Sequence, residues 1–257
     1  MFRHSKVILA VLVGGLALLA VLFFLPMALG QSYRPSSIAT STQGVSTTNT
    51  PPVFVVTHLP PPKPLKAIYM TACVAATPSW RASLEKLVSN TELNAIVIDI
   101  KDYSGSVSFD KSAKCFIADL MEFIGELHKS RIYSIGRITV FQDPSYTALH
   151  PELAVKSKST GEVWKDYKGL AFIDVGAKPY WDHVVGLAKQ GYALGFDEIN
   201  FDYIRYPSDG NLRDAEYTWT VGTSTRAEML EGFFSYLHDS LADTGVKTSA
   251  DLFGLTT

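Results

Sequence analysis

From residue 65 onward the apolar positions follow two alternating rhythms. Short runs at residues 66–73, 95–101, 132–138, 197–205 and 246–253 are rich in β-forming side chains, several of them alternating with period two, and predict strands. Between them apolar residues recur at helical spacing: Trp80, Leu84, Leu87 and Val88; Ile117, Leu120, Met121, Ile124 and Leu127; Trp181, Val184, Val185 and Ala188; and Met229, Leu230, Phe233, Phe234, Leu237 and Leu241. Strands alternating with amphipathic helices predict a parallel sheet covered by helices. Pro78 and Pro179 suit the first turns of two of these helices, and Gly195 is placed to end one in a left-handed cap. The stretch after the third strand is longer than a usual strand-to-helix loop. Within it Asp143-Pro144 predicts a helix start, and Ser159-Thr160-Gly161 a turn between residues 155–158 and 162–164.

The pattern before residue 65 is different. Residues 7–29 form an uncharged run of apolar side chains, long enough to cross a hydrocarbon core of roughly 30 Å as a helix. Arg3 and Lys6 precede it, which predicts residues 1–6 in the cytoplasm and the rest of the chain outside the cell membrane. A cleaved signal peptide competes, with Ala28-Leu29-Gly30 as its site, but its apolar segment is normally only about 7–15 residues, so the length favours a retained anchor. Residues 30–64 turn to Ser, Thr and Pro and read as a linker reaching about 30 Å or more. The apolar stretch at 54–56 is alternatively a strand on the following domain. In an extracytoplasmic setting the two cysteines, Cys73 and Cys115, form either a disulfide or two buried thiols.

A strand buried on both sides should be apolar on both faces. The fourth strand breaks that rule on one face: Ile199, Phe201 and Tyr203 alternate with Glu198, Asn200 and Asp202. In the second, Ile96, Ile98 and Ile100 oppose Val97, Asp99 and Lys101; in the fifth, Ala250 and Leu252 oppose Ser249 and Asp251. Carboxylates inside a sheet are costly unless paired. A closed barrel explains them, because those faces converge at its carboxyl mouth, where (β/α)8 active sites lie.

Two carboxyl groups across such a mouth suit hydrolysis of an O-glycosyl bond. Asp202, beside Arg205 in sequence, is the candidate nucleophile, and Asp251, between apolar neighbours, the candidate proton donor. The plainer alternative is a turn or cap role, commonest for a lone Asp at a strand end. Asp99 and Lys101 alternatively form an ion pair beneath the site, and Arg137 either holds a substrate hydroxyl or satisfies Asp99. Trp80 and Trp181 lie on helical stripes and are expected in the core, whereas Trp164 and Trp219 fall in loops where a ring can stack on a sugar. The 23 Lys and Arg against 25 Asp and Glu give none of the basic surplus that nucleic-acid binding requires. No phosphate loop, GxSxG elbow or HExxH helix occurs, and the six histidines are scattered, so neither a metal nor a cofactor is expected.

The strings KAIYMTA, TELNAIVIDIKD, RIYSIGRITVFQDP, GFDEINFDYIRYPSDG and SADLFG together resemble a bacterial family of unknown function described as "putative glycoside hydrolases", with a TIM-barrel domain distantly similar to the α-amylase clan. The resemblance runs from residue 65 to 257. It implies a retaining (β/α)8 hydrolase with Asp202 as nucleophile and, more weakly, Asp251 as acid/base. It also implies that Asp99, Arg137, Asp197, Glu198 and Arg205 belong to the site. Only 193 residues follow residue 64, against about 250 for a typical barrel, so the barrel is expected to be truncated after the fifth strand and closed by a missing C-terminal segment or a partner chain. The expected function is a membrane-anchored, extracytoplasmic glycosidase acting on a cell-envelope or extracellular polysaccharide, with Asp99, Arg137, Trp164, Glu198, Asn200, Arg205 and Trp219 binding substrate. The rival readings are a non-catalytic glycan-binding module and an inactive fragment of a split gene.

Overall fold

A computed structural model describes residues 56–220 and 225–252. The expected transmembrane segment at 7–29 and most of the linker lie outside the described residues. Among those described, no helix is long and apolar enough to cross a membrane.

Five strands form one parallel sheet: β1 (Ala67–Met70), β2 (Ala95–Lys101), β3 (Tyr133–Thr139), β5 (Glu198–Asp202) and β7 (Lys247–Ala250), in the order β1-β2-β3-β5-β7. The helices are α1 (Ala72–Ala75), α2 (Pro78–Ser89), α3 (Leu120–Lys129), α4 (Pro144–Leu149), α5 (Lys178–Ala193) and α6 (Arg226–Leu241). A short antiparallel pair, β4 (Lys156–Ser157) with β6 (Ala215–Glu216), stands apart from the main sheet. The α/β alternation of the sequence is therefore present, with β2 at the expected bounds.

The core lies between the sheet and its helices. Ile96, Ile98 and Ile100 of β2 are fully buried in one apolar cluster with Phe123 and Ile124 of α3, Val184 and Ala188 of α5, Ile199 of β5 and Phe233 of α6. Two glycines, Gly136 of β3 and Gly191 of α5, make room for the Ile100 side chain. A Cβ at either would lie 2.4 or 2.5 Å from Ile100 Cδ1, so a larger residue would force that side chain to move.

Local signals account for several boundaries. Asp143 accepts a hydrogen bond from the Tyr146 N–H and starts α4 ahead of Pro144. Thr225 and Glu228 form a capping box on α6. Gly195 has φ +114° after α5, and Gly161, with φ +75°, turns the chain so that Lys156 bridges Val163. Cys73 and Cys115 form a disulfide.

Three expectations are corrected. Trp80 is 60% exposed, because α2 turns that part of its apolar stripe away from the sheet, whereas Trp181 is buried and donates to the Val175 carbonyl. β5 stops at Asp202 rather than Arg205, because Tyr203 adopts φ +56° and leaves the strand conformation. Val56 is not in a strand, while Phe54 and Val55 lie outside the described residues. The end of the expected linker instead docks: Leu59 packs on Ala95, Tyr133 and Ile135, and His58 stacks on Tyr192 with ring centroids 3.9 Å apart.

Candidate active site

Paired residues on neighbouring parallel strands project to the same side, so the register sorts the polar side chains into rows. Asp99, Arg137, Asn200 and Ser249 are consecutive partners across β2, β3, β5 and β7. One inward position further along, Asp202 ends β5, and Asp251 follows β7 with its N–H bonded to the Phe201 carbonyl. Asp202 and Asp251 line one cavity of about 220 Å³ together with Tyr203 and Arg205.

Arg137 joins the two rows. Its Nη1 donates to Asp99 Oδ1 at 2.7 Å, while Nε and Nη2 donate to Asp202 Oδ2 at 3.0 and 2.6 Å. Tyr69 of β1 donates its hydroxyl to the other Asp99 oxygen. Burial pushes the Asp99 carboxyl above its usual range, and the hydrogen bonds from Tyr69 and Arg137 offset only part of that. Burial and the adjacent Asp99 raise the Tyr69 phenol, which keeps its proton as a donor. Burial alone would lower Arg137, but its bonds to Asp202 and Asp99 outweigh it and leave the guanidinium above its ordinary value, a permanent cation.

Asp202 is only partly enclosed, with a side chain 21% exposed. Its Oδ1 accepts from the Tyr203 N–H, 2.6 Å away, a contact made as Tyr203 turns left-handed. A bulky residue at positive φ is uncommon, and such backbone strain gathers at functional sites. The turn also moves Tyr203 off the apolar face expected for it and into the cavity lining. The Arg205 guanidinium lies 4.9 Å from the Tyr203 ring centroid and donates to Ser208 Oγ. Asp202 itself is bonded by Arg137, from the adjacent strand. Asn200 Nδ2 reaches Ser249 Oγ at 3.2 Å and Asp251 Oδ1 at 3.3 Å, so the amide orients the second acid.

Other polar residues of the pattern serve as brackets. Glu198 accepts from Tyr133 OH and Ser249 Oγ, tying β3, β5 and β7 together, and does not line the Asp202 cavity. Asp197 is wholly buried and accepts from the Leu59 N–H and from the Ser134 N–H and hydroxyl, with His128 Nε2 3.0 Å away. It too lies outside the site that the family resemblance implied. Lys101 is buried and pairs with Asp143 at 2.8 Å, not with Asp99, because the register slips between Asp99 and Lys101 and the two no longer share a face. The Asp102 carboxylate is occupied by a turn, accepting from Ser104 and Ser106.

The loop tryptophans differ from each other. Trp164 is 3% exposed, packed with Val155, Phe172 and Ala215, and donates to the Asn211 carbonyl. Its ring has no open face for a sugar, which corrects that expectation. Trp219 is 37% exposed, anchored by its N–H to Asp174 Oδ2 and by its indole N–H to the Glu152 carbonyl, and it does not line the Asp202 cavity. No group of three or more His, Cys, Asp or Glu among the described residues is arranged to hold a metal ion.

Residues 67–257 match the family described as "Putative glycosyl hydrolase domain". The chain belongs to this family. A solved hypothetical protein from Ruminiclostridium thermocellum is 30% identical over 74% of this chain and 100% of its own, with a TM-score of 0.66. The chitobiase of Flavobacterium johnsoniae gives a TM-score of 0.53 at 11% identity over 72% of this chain and 31% of its own. An α-L-fucosidase isoenzyme of Paenibacillus thiaminolyticus gives 0.52 at 10% identity over 72% and 32%. At such identities the last two speak for the fold alone, that of TIM-barrel glycosidases. A comparison with curated proteins gives no match.

Two parts of this glycosyl hydrolase-like domain's site escape sequence reasoning. Tyr69 lies on the strand face opposite Ile68 and Met70, and its partnership with Asp99 depends on β1–β2 register. Tyr203 sits in an apolar alternation that predicts the opposite face. Only the Tyr-Ile-Arg-Tyr-Pro string that follows, ending in a proline, hints that the strand stops early.

Proposed function

We propose that the chain hydrolyses O-glycosyl bonds by double displacement, with Asp202 as nucleophile and Asp251 as acid/base. The observation that carries this reading is the shared cavity: two carboxyl groups from neighbouring strands, one bonded to a permanent cation, open onto the same space at the carboxyl end of the sheet. In the first step an Asp202 oxygen attacks the anomeric carbon, the bond to the leaving oxygen breaks, and Asp251 delivers its proton to that oxygen. In the second, water attacks the same carbon, Asp251 takes a proton from it, and Asp202 departs as a carboxylate. Arg137 holds Asp202 Oδ2, and Oδ1, fixed by the Tyr203 N–H, keeps a second lone pair for the anomeric carbon. Asp99 and Tyr69 hold Arg137 in that position. In this reading the described sheet is one arc of an eight-stranded barrel.

The same proposal places the domain outside the cell membrane, tethered through residues 7–29 and acting on envelope or extracellular polysaccharide. The uncharged run and the Cys73–Cys115 disulfide support it, since disulfides persist in oxidising compartments. Release of reducing ends from polysaccharide by the full chain, lost in Asp202→Asn, is the test. Unchanged release by that variant would remove the assignment. Recovery of the chain in a washed membrane pellet tests the tether.

A further inference from the structure

A second cavity adjoins the first. It measures about 380 Å³, within the range of roughly 300–1,000 Å³ that small-ligand sites occupy, and shares Tyr203 and Arg205 with the Asp202 cavity. The rest of its wall comes from the loops that follow β2, β3 and β5: Tyr103 from the first, Asp166 and Lys168 from the second, and Asp209 from the third. Leu170 and Phe172 supply an apolar base.

The lining is mixed in a specific way. Tyr103 is 57% exposed, so its ring offers a flat apolar face next to the cavity. Two acids, Asp166 and Asp209, are balanced by two cations, Lys168 and Arg205. Each acid is pre-oriented by backbone: Asp166 Oδ1 accepts from the Lys168 and Leu170 N–H groups, and Asp209 Oδ1 from that of Gly210. An aromatic face with anionic acceptors and cationic donors beside it matches a ring that carries C–H bonds on its faces and hydroxyls on its rim. The charge balance gives no preference for an anion.

We propose that this cavity is a second glycan subsite, taking a neutral sugar unit of the same chain whose scissile linkage lies at Asp202. The proposal rests on the glycosidase reading above and extends it from one sugar to a run of at least two, bent over Tyr203 and Arg205.

The test uses the full chain carrying Asp202→Asn, titrated with cello-, malto- and chito-oligosaccharides of one to six units and with oligogalacturonates of the same lengths. Affinity for one neutral series should climb about tenfold, the scale of one aromatic contact, as the chain becomes long enough to enter both cavities. Adding Tyr103→Ala or Lys168→Ala should remove most of that climb and leave the affinity for the shortest ligand unchanged. Flat affinity in every series, a climb that survives both substitutions, or preference for the galacturonates would overturn the subsite. Binding does not require turnover, so the two readings separate. A length-dependent affinity without cleavage by the unmodified chain sinks the hydrolase and keeps the subsite, whereas cleavage of aryl glycosides with flat affinities does the reverse.

Discussion

Asp197 and Asp202 stand five positions apart in the same segment and have opposite surroundings. The Asp197 side chain has no exposed surface, and its oxygens receive the Leu59 N–H, two donors from Ser134 and the contact with His128. Asp202 is 21% exposed, has the Arg137 guanidinium on one oxygen, and opens onto a cavity shared with Asp251. A carboxylate whose acceptor capacity is spent on fixed donors holds a fold together, because removing it strands every donor at once. One with a lone pair left facing a cavity has something to offer a substrate. Residue type and chain segment do not separate the two roles; the remaining hydrogen-bonding capacity does.

Exchanging the two acids in turn is the sharpest way to break this contrast. Asp202→Asn should cut hydrolysis on the order of 10⁴-fold while leaving thermal unfolding nearly unchanged. Asp197→Ala should cost at least about 4 kcal/mol in denaturant unfolding, from several stranded donors at about 1–3 kcal/mol each. A stable Asp197 variant, or an unfolded Asp202 one, would dissolve the distinction. Arg137→Lys comes next. A single ammonium cannot span Asp99 and Asp202 as the guanidinium fork does, so turnover should fall about 10²-fold with the fold retained.

The lower end of the comparison is sharpened by Leu59→Ala, which uncovers Tyr133 and Ile135 and should cost roughly 1–2 kcal/mol, less than a fully buried leucine. The smallest effect is one of pH. Burial holds His58 below its ordinary value of about 6.5, partly opposed by Asp197 and reinforced by the nearby His128. A histidine with a lowered folded pKa binds protons more readily once unfolded, so its contribution is complete above the ordinary value and is lost as pH falls below it. A melting series from pH 7 downward should show a decline just below 6.5, and His58→Asn should reduce it, leaving the share of His183, which burial lowers in the same direction.

Legibility followed the range of the interaction. The isoleucines of β2, the polar ladder of Glu198, Asn200 and Asp202, and the helix start at Asp143-Pro144 are visible in the sequence because strand alternation and capping act within a few residues. Trp80 and Trp181 occupy similar helical stripes, yet one is exposed and the other buried, since burial depends on what packs against the helix.

By itself the sequence determined the α/β alternation, the parallel strands and the side of β5 that carries its acids, all of which arise from local periodicity. Only the tertiary structure decided that Arg137 bonds Asp202, that Lys101 turns to Asp143, that Tyr203 leaves its strand, and that Cys73 meets Cys115. Those outcomes depend on register between strands and on packing between loops, where a shift of one residue changes every partner and no short window of sequence records which shift is taken.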